Sequence, residues 1–219
     1  MYRTAVCCVV CVGLWTSAAS SATITTYNRA AFQTALSGGT LSGQDFDSLA
    51  AGTVLGTLDG VTYGASGGNP IVTDSYLTST TPNGLGSTSV GYFLSSESAT
   101  FTFATAITAF AIDINTFAAF EGAYTATLNL GDVVSSRFDV FPNTSTGQFL
   151  GFTSDVAFTS VTISAVADPG SGATYAYTLD SLVYGEAAAV AVPEPSSLVL
   201  CGLASFVGCG VWARRRRVA

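Results

Sequence analysis

The 219-residue chain has no histidine and no lysine, and its one methionine is residue 1. These absences exclude a histidine-containing catalytic triad, histidine-ligated zinc and Schiff-base lysine chemistry. Charge of either sign is scarce, at 10% of residues, whereas 48% are apolar and 23 are glycine. A chain this apolar is not a disordered one. Cysteine is missing from the whole middle of the chain. Cys7, Cys8 and Cys11 stand near one end, Cys201 and Cys209 near the other. No disulfide can therefore staple residues 23–192, and a core, alone or with a metal, must hold them. Lipidation calls for a cysteine just after the N-terminal apolar run, where Thr16, Ser17 and Ala18 stand instead.

The charges that exist are segregated. Arg3 lies at one end and Arg214, Arg215, Arg216 and Arg217 at the other. Between residues 23 and 192, two arginines, Arg29 and Arg137, face thirteen carboxylates, a net charge of −11. Such a body repels nucleic acid and attracts cations, calcium above all. The same carboxylates also keep a lysine-free surface hydrated.

Both ends read as addresses. In residues 1–22, Arg3 precedes the apolar stretch Ala5 to Trp15, and Ser20-Ser21-Ala22 supplies a small-x-small cleavage site. This is the pattern of a secretory signal, and the apolar stretch is too short to span a bilayer. At the other end Pro193-Glu194-Pro195 opens a run without charge from Pro195 to Ala213, closed by the four arginines. As a helix that run extends about 28 Å, enough for a hydrocarbon core. The arginines hold their end in the cytoplasm, which places the body outside.

The tail resembles the PEP-CTERM sorting signal, with its tripeptide at Pro193, Glu194 and Pro195, its transmembrane helix, and its topogenic cluster Arg214–Arg217. The resemblance implies an exosortase, a membrane cysteine transpeptidase, as processing partner. It also implies a bacterium that makes exopolysaccharide, transient residence in the inner membrane, and delivery to the outer surface or matrix. An ordinary single-pass anchor shares these features except for the tripeptide.

The body reads as all-β. One short helix is predicted first, with Asn28 as N-cap, Ala31, Phe32, Ala35 and Leu36 as its stripe, and Gly38-Gly39 as its end. Short alternating runs follow. Thr100 to Phe103 alternates strictly, and Phe110, Ile112 and Ile114 share a face of the next run. Tyr124, Ala126, Leu128 and Leu130 share another, Val161 and Ile163 pair, and Tyr175, Tyr177, Leu179 and Val183 line the last strand. Roughly nine to eleven such half-buried strands call for a two-sheet antiparallel sandwich, jelly-roll-like. The predicted organisation is a signal peptide at 1–22, an extracellular β-sandwich at 23–187, a linker at 188–192 and the sorting signal at 193–219.

The body is also similar to a recurrent family of PEP-CTERM surface proteins. Asp45-Phe46-Asp47-Ser48-Leu49, Gly60-Val61-Thr62-Tyr63, Ile107-Thr108-Ala109-Phe110 and Leu179-Asp180-Ser181-Leu182 are among the matching stretches. The resemblance implies a sandwich like those of carbohydrate-binding modules, without enzymatic activity.

Three sites are weighed. Calcium takes six to eight oxygens. Asp45 and Asp47, two apart on an early strand, share a face, and Asp180 joins them if first and last strands pair. The competing arrangement turns Phe46 inward and both aspartates to water. No cofactor is required, and structural calcium is the one candidate. A glycosidase needs two carboxylates flanking a sugar. Asp113, Glu121 and Glu97 lie near aromatics, but no spacing singles out a pair. A glycan surface needs exposed aromatics. Tyr92, Phe117 and Phe120 are the chief candidates, with Tyr63, Tyr76 and Phe141 also near predicted loops. Each of them would otherwise close the sandwich ends. The leading expectation is a non-catalytic surface or matrix protein associated with exopolysaccharide. A carbohydrate-binding module or adhesin ranks second and a secreted hydrolase third.

Overall fold

Strands that alternate threonine or serine with aromatic and β-branched residues suit a pleated layer buried on one side. The computed structural model of the chain follows this pattern through twelve strands and one helix among the described residues. It describes residues 22–76, 78–117, 123–137, 148–166 and 175–187. The expected leader up to residue 21, the linker and the entire sorting tail lie outside these residues, as do Phe120, Glu121 and Phe141. Among the described residues no helix is long and apolar enough to cross a membrane.

Strand β1 (Ile24–Tyr27) leads into α1 (Arg29–Ala35). The helix starts as predicted: the Asn28 side chain accepts a hydrogen bond from the Ala31 N–H at 2.9 Å, satisfying one orphan donor of the first turn. Phe32 and Leu36 bury its stripe. The helix sits over Gly151, where an added Cβ would strike the Phe149 ring and, at 3.2 Å, crowd the Phe32 ring packed on it. Glycine there leaves the seat.

Six short strands follow: β2 (Thr40–Gln44), β3 (Thr57–Leu58), β4 (Val61–Ala65), β5 (Pro70–Thr73), β6 (Gly84–Ser87) and β7 (Phe93–Leu94). The long β8 (Ser98–Phe117) comes next, then β9 (Ala123–Leu128), β10 (Val133–Arg137), the long β11 (Gln148–Val166) and β12 (Ala176–Glu186). The runs around Phe101 and Phe110 are not two strands, as their separate alternation suggests, but the two halves of β8. Its first half pairs with β4 through Ala99–Phe103 and its second with β12 through Ala109–Phe117. β11 divides in the same way, joining β9 through Val161–Val166 and β1 through Gly151–Ser154. Register shifts between Thr153 and Ser160 mark the change, because a bulge bends a strand and lets it pass between layers.

Hydrogen bonding therefore runs through a single twelve-stranded sheet, folded into the two layers of an all-β sandwich. The first layer has the order β3-β4-β8-β11-β9-β10. The second has β1-β11-β8-β12, with β2, β6 and β7 along β12 and β5 beyond β6. Aromatic rings fill the space between. Phe110 lies 5.6 Å from Phe152 and 5.8 Å from Phe101, and Tyr124 of the first layer meets Tyr177 of the second at 5.2 Å.

Two predicted faces are corrected. Leu130 falls in the turn after β9 and is exposed, so it leaves the face of Tyr124, Ala126 and Leu128. Tyr177 and Leu179 point inward, but Ser181 adopts a φ of 49° and the register shifts between Asp180 and Val183. Leu182 takes the inward place, and Val183 packs outside with Phe32 and Leu36.

Candidate functional site

The outer face of the second layer is covered from two sides. α1 lies over Ala109 and Ala111 at one end. At the other, the loop of residues 88–92 crosses so close to β6 that a Cβ on Gly86 would strike the Gly91 carbonyl. Between the two covers runs a polar seam. Asp113 of β8 and Asp180 of β12 stand directly opposite in register, 1% and 0% exposed. Sequence spacing gave no hint of this pair, since 67 positions separate the two. Only the antiparallel pairing of β8 with β12 brings them together.

The two acids share Ser79 and Ser181 as hydrogen-bond partners and differ in the rest. Asp113 forms an ion pair with Arg29, whose half-exposed guanidinium also lies 4.7 Å from the Phe149 ring centroid. The Asp180 Oδ2 accepts hydrogen bonds from the Thr80 N–H at 2.7 Å, the Thr80 hydroxyl at 2.9 Å and the Ser79 hydroxyl at 3.0 Å. Its Oδ1 accepts the Ser181 N–H at 2.6 Å. Burial raises the pKa of both acids. For Asp180 it prevails over the hydrogen bonds from Thr80, Ser181 and Ser79, and the carboxyl titrates at about 6. For Asp113 it prevails over the Ser79 hydrogen bond and the Arg29 charge. The seam thus clamps the start of α1 and the Ser79–Thr80 loop onto the sheet. Two residues along β8, the buried Asn115 presents both amide atoms without a hydrogen-bond partner. The seam offers no opening to a sugar. Hydrolysis at paired carboxylates needs both to reach the scissile bond.

The predicted calcium set is not assembled. β2 does pair with β12, as that site required, through Gln44 and Leu182. Yet Asp45 and Asp47 lie beyond the end of β2, in a turn, on either side of Phe46, whose φ is 63°. Phe46 is fully buried against Tyr63, so the inward-phenylalanine arrangement is the one adopted. Asp45 Oδ1 accepts the Asp47 N–H at 3.1 Å, and Asp47 Oδ1 accepts the Asn83 N–H at 2.8 Å. Asp180 is committed to the seam. Among the described residues no three acidic or cysteine side chains are grouped to hold a metal ion.

Of the glycan candidates, Tyr92 is half-buried and packs edge-on against Tyr76, with ring centroids 5.0 Å apart. Phe117 is the last residue of β8. Tyr63, expected near a loop, is instead a buried residue of β4. A groove of about 430 Å³ opens where β8 leaves β4 for β12, floored by Phe103, Ile107 and Tyr184 and rimmed by Asp59 and Glu186. Neither the groove nor the seam was legible as a site in the sequence.

The described body is an all-β sandwich, and residues 191–217 match the PEP-CTERM protein-sorting motif. The match makes the chain an exported protein that is membrane-anchored through its C-terminus before processing, with an exosortase as its processing enzyme. No curated protein matches it. Among solved structures it is similar to a variant of CBM29-2, a family 29 carbohydrate-binding module, at 13% identity and a TM-score of 0.35, over 71% of this chain and 100% of that one. A second structure, described as a family 29 carbohydrate-binding module, aligns at 9% identity and a TM-score of 0.33, over 67% of this chain and 91% of that one. No residue role transfers from either.

Proposed function

We propose that this is a non-catalytic surface or matrix protein. It is exported, processed by an exosortase-type enzyme at or near Pro193-Glu194-Pro195, and contributes its β-sandwich to the exopolysaccharide layer. The observation that carries the proposal is the sorting motif at residues 191–217. The absence of histidine and lysine supports the non-catalytic reading. So does the burial of one acid pair, Asp113 and Asp180, beneath α1 and the Ser79–Thr80 loop. Calcium at Asp45, Asp47 and Asp180 is not part of the proposal, because Asp47 and Asp180 already accept hydrogen bonds in separate places.

Export and processing are tested by replacing Pro193, Glu194 and Pro195 together with alanine and fractionating cells that express the full chain. The expected result is unprocessed protein retained in the inner membrane, with the wild type in the outer or extracellular fraction. Equal release of both proteins would reduce the tail to a plain anchor and refute the proposal.

A further inference from the structure

The two outer faces of the sandwich differ. α1 and the loops cover the second layer, but among the described residues nothing covers the first. Its outward side chains form rows across the strands, set by the register. Thr62, Thr102 and Ser160 make one row, continued at its edge by Thr57. Thr100, Thr162 and Thr127 make the next. Ser98, Ser164 and Thr125 make a third. Their alternates, among them Phe101, Val161 and Ile163, form the core, so the hydroxyls face out. No position in these rows is charged, although the body carries −11.

We propose that this face is a docking surface for a neutral polysaccharide. The proposal rests on the reading of the chain as an exported matrix protein. The face lacks what other partners need. Its three rows hold no basic side chain for a nucleic acid, and its exposed aliphatics, Val133 in register with Thr127 and Val166 at the end of β11, lie at the margin and not at the centre where a protein partner anchors. What it has is a lattice of hydroxyls. Neighbouring strands place them about 4.8 Å apart, and alternate residues along a strand about 6.7 Å apart. Both spacings are comparable to one sugar ring. The lattice is stiff, because threonine's branched Cβ restricts χ1. Hydroxyls also brace one another: Thr57 with Thr62 at 3.0 Å, and Thr100 with Thr162 at 3.0 Å. A bonded hydroxyl pair uses one donor and keeps further donor and acceptor capacity for a ligand. Little conformational freedom is lost on contact, so weak hydrogen bonds repeated along a polymer add up.

The test is co-sedimentation of the purified full chain, in mild detergent, with insoluble neutral glucan, mannan and chitin, and retention on an acidic polysaccharide as a separate arm. The variant carries Thr100→Val, Thr102→Val, Thr127→Val and Thr162→Val together, which keeps shape and strand preference and removes four hydroxyls. A second variant, Thr102→Glu with Thr127→Glu, places charge at two exposed positions. The expected result is saturable binding to at least one neutral polymer, weakened about tenfold or more in the valine variant and abolished in the glutamate variant, with thermal melting unchanged. Undiminished binding by the valine variant would overturn the proposal. So would binding to no neutral polymer, binding to the acidic polymer alone, or ice shaping or self-association in place of glycan binding. Cell fractionation reads the export proposal separately, so failure of one leaves the other standing.

Discussion

Replacing Asp180 with asparagine should remove most of the protein's pH-dependent stability between pH 4 and 6. In the folded chain burial raises this carboxyl from 3.8 to about 6. The folded state therefore binds a proton more tightly than the unfolded one, and stability falls as pH rises from about 4 to about 6, then levels off. At about 1.4 kcal/mol per pKa unit the full shift corresponds to about 3 kcal/mol. Relaxation of the protein around the buried carboxylate screens this to ~2 kcal/mol. For a chain of this size that is a fall in Tm of roughly 4–8 °C across the window. Asp113, opposite and also raised by burial, adds to the same slope. Asparagine matches the shape of the protonated acid but turns one amide group toward a backbone donor, Thr80 N–H or Ser181 N–H, at a cost of about 1–3 kcal/mol. The variant should therefore melt near the wild type at pH 7, below it at pH 4, and show a much flatter profile. Thermal melts of the full chain followed by near-ultraviolet tyrosine signals measure this. A wild-type Tm that rises from pH 4 to 6, or an unchanged slope in the variant, would refute the reasoning.

Arg29→Ala leaves the Asp113 carboxylate buried without its cation. A fully buried pair would lose about 3–5 kcal/mol, but Arg29 is half exposed, so about 2 kcal/mol is expected at pH 7. The loss should shrink as the pH is lowered and Asp113 takes a proton, which parallel urea titrations at pH 7 and pH 4 would show. Phe110→Ala empties the centre of the aromatic core, where Phe101, Phe103 and Phe152 all lie within 6.2 Å of the lost ring. It should cost about 3–5 kcal/mol by denaturant unfolding, and a loss under 1 kcal/mol would mean that Phe110 does not join the two halves of β8 to one core.

The strand periodicity was legible because burial on one face writes period two into the residues themselves. Phe101 and Phe103, Phe110 with Ile112 and Ile114, and Val161 with Ile163 all point inward as their alternation predicts. The helix was legible for local reasons as well: Asn28 beside its own first turn, and glycine just past the end. Two features were not. The passage of β8 and β11 between layers shifts the phase of their alternation, so each long strand reads as separate short ones. The bulge at Ser181 reverses the faces beyond it, and a single residue at positive φ carries no periodic signal. Asp45 and Asp47 misled for the same reason. They alternate as if on a strand, but the chain turns at Phe46.

The sequence by itself determined the export address, the all-β class, the helix and the exclusion of histidine and lysine chemistry, because each depends on residues near one another in the chain or missing from it. Only the tertiary structure decided which carboxylates meet. Asp113 and Asp180 become neighbours through strand pairing across 67 positions, whereas the predicted acidic trio is parted by one turn. It also decided that threonines scattered over β4, β8, β9 and β11 form one uncharged face. Register between strands is a property of the folded sheet, and no single strand contains it.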